Sequence, residues 1–130
     1  MPSAERSALR VPEEPTSIAW ETDEPTARQR ARREGLPMLV WVRADWATAA
    51  LEMERKAWSD PRVMAEARRF VALKLDVTAA EGDAELYAER YGVTMMPETV
   101  LFDASGRKAG SVRGATGADE LLKAMRAASE

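Results

Sequence analysis

The sequence predicts an α/β fold in which a central mixed β-sheet carries helices on both faces. Three observations lead there. Two segments, Met38–Val42 and Phe70–Val77, are almost continuously apolar, as strands covered on both faces are. Helix-patterned segments separate the first three strand-like ones, which favours parallel crossovers. The last two strand-like segments are joined by Asp103-Ala104-Ser105-Gly106-Arg107, a hairpin signal that makes them antiparallel. A chain of 130 residues is one domain's worth, and at that size about 65–70% of the unfolded chain's surface is buried on folding.

The elements follow in order. Pro2, Pro12 and Pro15 among scattered charges make residues 1–16 read as a flexible N-terminal arm, with the domain at 17–130. Ser17-Ile18-Ala19-Trp20 is a short extended piece. Thr22 and Asp23 cap a helix with Pro25 in its first turn, which runs to about Glu34 and is stopped by Gly35 and Pro37. Its Arg28, Arg30, Arg32 and Arg33 read as a solvated face. After the Met38–Val42 strand, Ala47 to about Trp58 is helical. Ser59-Asp60-Pro61 restarts a short helix to about Arg68, a cap residue being followed by proline in the first turn. The Phe70–Val77 strand leads to a helix from about Asp83 to Tyr91, closed by Gly92. Thr99–Phe102 and Lys108–Val112 are the hairpin strands. Thr116 or Gly117 opens the last helix, whose buried stripe is Leu121, Leu122 and Met125.

Composition removes whole classes of chemistry. The chain has no cysteine and no histidine, so Cys/His zinc sites, Ser-His-Asp triads, Cys-His dyads and disulfides are excluded. A net charge of −3 argues against nucleic acid as a partner. The longest apolar run, Met38–Val42, is far short of the roughly 20 residues that span a bilayer. Asp76, Glu81 and Asp83 near one loop lack the alternating ligands and closing Glu of a hard-cation site, and Gly106 and Gly110 make no phosphate loop. No metal, cofactor or membrane insertion is expected. The sequence as written carries no leader, which suits the cytoplasm; a removed leader would leave the periplasm open.

Met38 to Met125, about two-thirds of the chain, resembles the thioredoxin-like superfamily, and in particular the C-terminal thioredoxin-like domain of the thiol:disulfide interchange protein DsbD. Val42-Arg43-Ala44-Asp45-Trp46-Ala47-Thr48-Ala49-Ala50 is similar to that family's strand, Ala-Asp-Trp lead-in and Cys-x-x-Cys motif. Leu51-Glu52-Met53-Glu54 continues the active-site helix, and Leu75-Asp76-Val77-Thr78 resembles the exit of the next strand. Tyr91 to Asp103, containing Met95-Met96-Pro97, is similar to the cis-proline segment. Gly106 and Gly114 stand where the family has its turn glycine and the glycine before the final helix.

The departures from that pattern carry the functional argument. Ala47 and Ala50 occupy the two cysteine positions, and a methyl group offers neither nucleophile nor proton, so no catalytic residue is expected and thiol–disulfide exchange is excluded for the chain as written. Six residues before Ala47, where thioredoxins commonly carry a buried Asp, stands Trp41; this favours natural loss of the cysteines over an engineered pair. The resemblance implies a cis Met96–Pro97 bond that leaves the Met96 backbone free to pair with an extended peptide. Trp46, Ala47, Thr48, Met96 and Pro97 are therefore the expected peptide- or partner-binding residues, with Met95 an adaptable neighbour. Trp20, Trp58 and Phe70 read as core. Asp45 is a lone carboxylate, and Glu52, Glu54, Arg55 and Lys56 have the spacing of solvent-exposed ion pairs with no chemistry. Three readings follow: a redox-inactive module that binds a protein or peptide through the former active-site surface, a thiol oxidoreductase represented by a Cys-to-Ala variant, and a purely structural domain.

Overall fold

The computed structural model describes residues 17–79, 86–87, 89–93 and 95–130. The expected arm at 1–16, the first residues of the expected Asp83–Tyr91 helix, and Glu81 and Asp83 lie outside the described residues. The elements are α1 (Glu24–Glu34), β1 (Met38–Arg43), α2 (Thr48–Arg55), α3 (Pro61–Ala67), β2 (Val71–Asp76), β3 (Glu98–Phe102), β4 (Lys108–Arg113) and α4 (Ala118–Ser129), with residues 86–87 and 89–91 also helical.

The four strands lie in the order β2-β1-β3-β4. β1 runs parallel to β2, with Met38 opposite Val71 and Trp41 opposite Lys74. β1 is antiparallel to β3, and β3 to β4, so the sheet is mixed. The extended piece expected at 17–20 pairs one residue later: the Glu21 N–H donates to the Ala72 carbonyl (2.7 Å) and its carbonyl accepts from the Lys74 N–H (2.9 Å), a single parallel bridge on the outer edge of β2.

Helix ends are set by local chemistry. The Asp23 carboxylate accepts from the Thr26 N–H at the start of α1, and Gly35 ends that helix at φ +64°, in the left-handed region that glycine adopts without a Cβ penalty. Asp60 caps α3 ahead of Pro61. α2 closes at Arg55, earlier than the composition suggests, because the chain turns at Lys56 and the Trp58 N–H reaches back to the Met53 carbonyl (2.8 Å).

All six residues of β1 are buried, which is why its first five are unbroken in apolarity and why the sixth, Arg43, is buried only with ion-pair partners. Strand alternation divides them between two cores. Leu39 and Trp41 join Ala72 and Leu101 beneath α2, α3 and α4, packed on Met53, Trp58, Val63, Leu121, Leu122 and Met125. Met38, Val40 and Val42 join Leu73, Leu75 and Val100 on the other face, covered by Ala27 of α1 and by Tyr91. Helices on both faces of a mixed sheet complete the α/β architecture, and the end of β1 delivers the chain directly to the start of α2.

Candidate functional site

Leaving β1, the chain passes through buried Ala44 to exposed Asp45 and Trp46 before α2 begins. The Trp46 side chain is 61% exposed, whereas Trp41 and Trp58 are buried and Trp20 packs against the core. Its indole takes no part in the aromatic pairs of the described residues. Ala47 is the N-cap of α2 and, having no polar atom, makes no side-chain cap. Ala47 is nevertheless buried at the edge of the core, and Ala50 is fully buried in it beside Leu39 and Trp41. Thr48, the first residue of the helix, is exposed.

The Met96–Pro97 peptide bond is cis. Pro97 is buried and its carbonyl accepts from the Gly114 N–H (2.8 Å). Gly114 has φ +70°, in the left-handed region that strains other residues, and a Cβ there would lie 2.9 Å from the Met95 sulfur, so a side chain would also displace the Met95 thioether. Met95 itself is 53% exposed. Met96 is half-buried and packs against the same core cluster that holds Ala47 and Ala50. Its backbone N–H and carbonyl take no backbone partner among the described residues. The structure places Ala47 in the same core cluster that Met96 packs against, Pro97 follows Met96 through the cis bond, and Trp46 and Thr48 are exposed at the start of α2.

Behind this surface lies a charged network that sequence spacing does not reveal. Arg43, at the end of β1, donates from Nε and Nη2 to the two Glu54 oxygens (2.8 and 2.9 Å) and from Nη1 to Asp76 (3.0 Å). Asp45 accepts from the same guanidinium (2.7 Å). The Trp41 indole N–H donates to Glu54 Oε2 (3.1 Å). Burial pushes the Glu54 carboxyl up, but the hydrogen bonds from Arg43 and Trp41 outweigh it and hold the group below the usual carboxylate range. The hydrogen bond to Glu54 leads the causes that raise the Arg43 guanidinium further. Glu54 is thus half-buried and spoken for, unlike Glu52, which makes the expected exposed pairs with Arg55 and Lys56. Asp45, just before the start of α2, is a partner of Arg43, and the Asp45 N–H donates to Thr78 Oγ1 (2.8 Å), which ties the turn to the end of β2.

Glu98 escaped sequence reasoning. It directly follows Pro97, is fully buried, and has Arg113 Nε 3.6 Å away. A charged residue opening an apolar strand, placed opposite Arg113 in the β3–β4 register, was the available signal.

The family description "Thioredoxin-like domain" matches residues 25–129. The chain belongs to the thioredoxin-like domain family. This thioredoxin-like domain is similar to the thiol:disulfide interchange protein DsbD of Ralstonia nicotianae, with 36% identity over 109 residues that make up 83% of the chain and 18% of that relative. It spans less than a fifth of the length of that relative. A thioredoxin from Thermus thermophilus superposes with a TM-score of 0.72 at 26% identity, covering 85% of each chain. The reduced C-terminal domain of Neisseria meningitidis DsbD shares the fold, with a TM-score of 0.71 at 20% identity over 82% of this chain and 94% of that one. No described helix of the domain is long and apolar enough to cross a membrane.

Proposed function

We propose that this thioredoxin-like domain is a redox-inactive binding module that holds an extended peptide or protein segment against Trp46, Ala47, Thr48, Met96 and Pro97. One observation carries the reading: the Met96 main chain has no backbone partner among the described residues, while Met95 beside it in the chain is exposed and the Met96 side chain packs against the core cluster that holds Ala47. A backbone N–H and carbonyl with no backbone partner among the described residues, next to apolar side chains, suit strand addition, where the main chain supplies affinity and the side chains supply selectivity. Without a thiol the chain exchanges no disulfide with any redox pool, so the reading holds in the periplasm, which the likeness to DsbD favours, as well as in the cytoplasm.

Selection of linear peptides from a randomised displayed library tests it. Enriched peptides are expected to bind equally in oxidising and reducing buffer, and Trp46→Ala should weaken them by about tenfold or more, as loss of an aromatic anchor does. Enrichment that is indifferent to Trp46→Ala and Met96→Ala, or no enrichment, would leave the structural-domain reading standing. The oxidoreductase reading rests on the retained helix start at Ala47, where a thiolate would be stabilised by the helix dipole. Insulin-disulfide reduction by an Ala47→Cys, Ala50→Cys variant discriminates: appreciable reduction favours that reading, and a folded, inert variant favours the binding module.

A further inference from the structure

With no cysteine in the chain, methionine supplies every sulfur atom. Met1 lies outside the described residues, and Met38, Met53, Met64 and Met125 are buried. Met96 is half-buried, its side chain packed against the core clusters on both faces of the sheet. Among the described residues Met95 is the one exposed methionine. Oxidation of a thioether follows its access to solvent, so burial singles out this residue.

The position of that sulfur couples it to the backbone. The Met95 Sδ lies against Gly114, at the place where any other residue would carry its Cβ. Gly114 directly follows β4, and its N–H donates to the Pro97 carbonyl (2.8 Å), which fastens the end of β4 to the start of β3. The Met95 thioether therefore rests on the residue that makes this clamp. The contact is apolar, and a sulfoxide oxygen placed there would need a donor. The Gly114 N–H is already given to Pro97, so the oxidised side chain must leave Gly114 for water.

We propose that Met95 is a peroxide-modification site whose sulfoxide weakens the grip of the Met96–Pro97 surface on a bound segment. The sulfur lone pair attacks one oxygen of hydrogen peroxide, and an S–O bond forms as the O–O bond breaks. The thioether is oxidised by two electrons and the peroxide reduced by two. The proton of the transferred hydroxyl passes to the departing hydroxide, which leaves as water. Methionine sulfoxide is reversible by dedicated reductases, so the change can be undone. The modification site stands on burial and on the Gly114 contact alone; its effect on binding rests on the binding-module reading above.

Hydrogen peroxide added to the full ¹⁵N-labelled chain, with each methionine followed by peptide mass mapping, tests the proposal. Met95 is expected to gain one oxygen about tenfold faster than Met96 or the buried methionines, as its exposure dictates. The Gly114 amide resonance is expected to shift in step with that gain, and in Met95→Leu it should not respond to peroxide. A library-selected peptide should bind the oxidised chain about fourfold more weakly than the untreated one, the equivalent of one buried methylene. That ratio should return to one in Met95→Leu. Equal oxidation of Met95 and the buried methionines, a Gly114 amide unmoved by Met95 oxidation, or unchanged peptide affinity would each overturn the proposal. If the untreated chain selects no peptide, the binding-module reading falls, and the mass map and the Gly114 amide still decide the modification site.

Discussion

At the scale of single residues, the charge network ties the end of β1 to α2 and to the end of β2. Trp41 is fully buried, and its N–H donates to Glu54. Glu54 in turn is the bidentate partner of Arg43, a residue whose side chain is only 7% exposed. Removing the charge of one member of a partly buried pair leaves the other short of a partner, so Glu54→Gln is expected to lower stability by about 1–3 kcal/mol. Glu52→Gln, one turn away in exposed pairs, should change stability by less than about 0.5 kcal/mol. Urea unfolding of both variants checks the contrast; equal, small losses would mean that Arg43 is held sufficiently by Asp45 and Asp76. The Arg43–Glu54 and Arg43–Asp76 contacts were not legible in the sequence, because these partners stand 11 and 33 residues away and only the β1–β2 register and the packing of α2 bring them together.

At the scale of elements, capping separates α2 from its neighbours. α1 and α3 carry Asp23 and Asp60 at their N-caps, and Asp23→Ala or Asp60→Ala is expected to cost about 1 kcal/mol each. α2 begins at Ala47 in an extended conformation (φ −96°, ψ 103°) with its first N–H groups uncapped by a side chain. Ala47→Ser is therefore expected to stabilise the domain by about 0.5–1 kcal/mol, read as a rise in the urea midpoint; a fall would show that packing of the Ala47 methyl outweighs the missing cap. Before α4 the constraint is steric. Gly114→Ala forces a side chain into the left-handed region and onto the Met95 sulfur, and an expected loss of about 1–2 kcal/mol should appear as a lower thermal midpoint. The caps, the stop glycine of α1 and the hairpin could be read from the sequence because each is a local signal. The early end of α2 could not, since Lys56, Ala57 and Trp58 continue a helix-compatible composition with no glycine or proline to mark the turn.

At the scale of the whole molecule, the alternation of apolar runs and helical segments was enough to define a mixed sheet between helical layers. It said nothing about the orphaned Trp58 N–H or the burial of Glu98, which arise only when strands from distant parts of the chain meet. The same distribution of titrating groups governs the response to pH. With no histidine and no cysteine, no side chain has an ordinary pKa between about 5 and 8. Tyr91, buried and hydrogen-bonded to Glu24, is raised further from neutrality. Glu54, Asp76, Asp23, Asp60 and Asp103 are all held below their ordinary values, Glu54 and Asp76 against the opposing effect of burial, the three others mainly by hydrogen bonds from Arg62, Ser105 and Thr26 to their carboxylates. A carboxyl whose folded pKa is depressed binds fewer protons in the folded state than in the unfolded one. Its contribution is present in full above the unfolded value, here 3.8 for Asp and 4.5 for Glu, and is lost as pH falls through the folded value. The urea midpoint is therefore expected to be flat from about pH 6 to 8 and to fall steadily below about pH 4.5. Glu54→Gln should make the acid limb shallower, since it removes one of the depressed carboxyls. A midpoint that instead climbed or dropped across pH 6–8 would require a group titrating near neutrality, and the described side chains supply none.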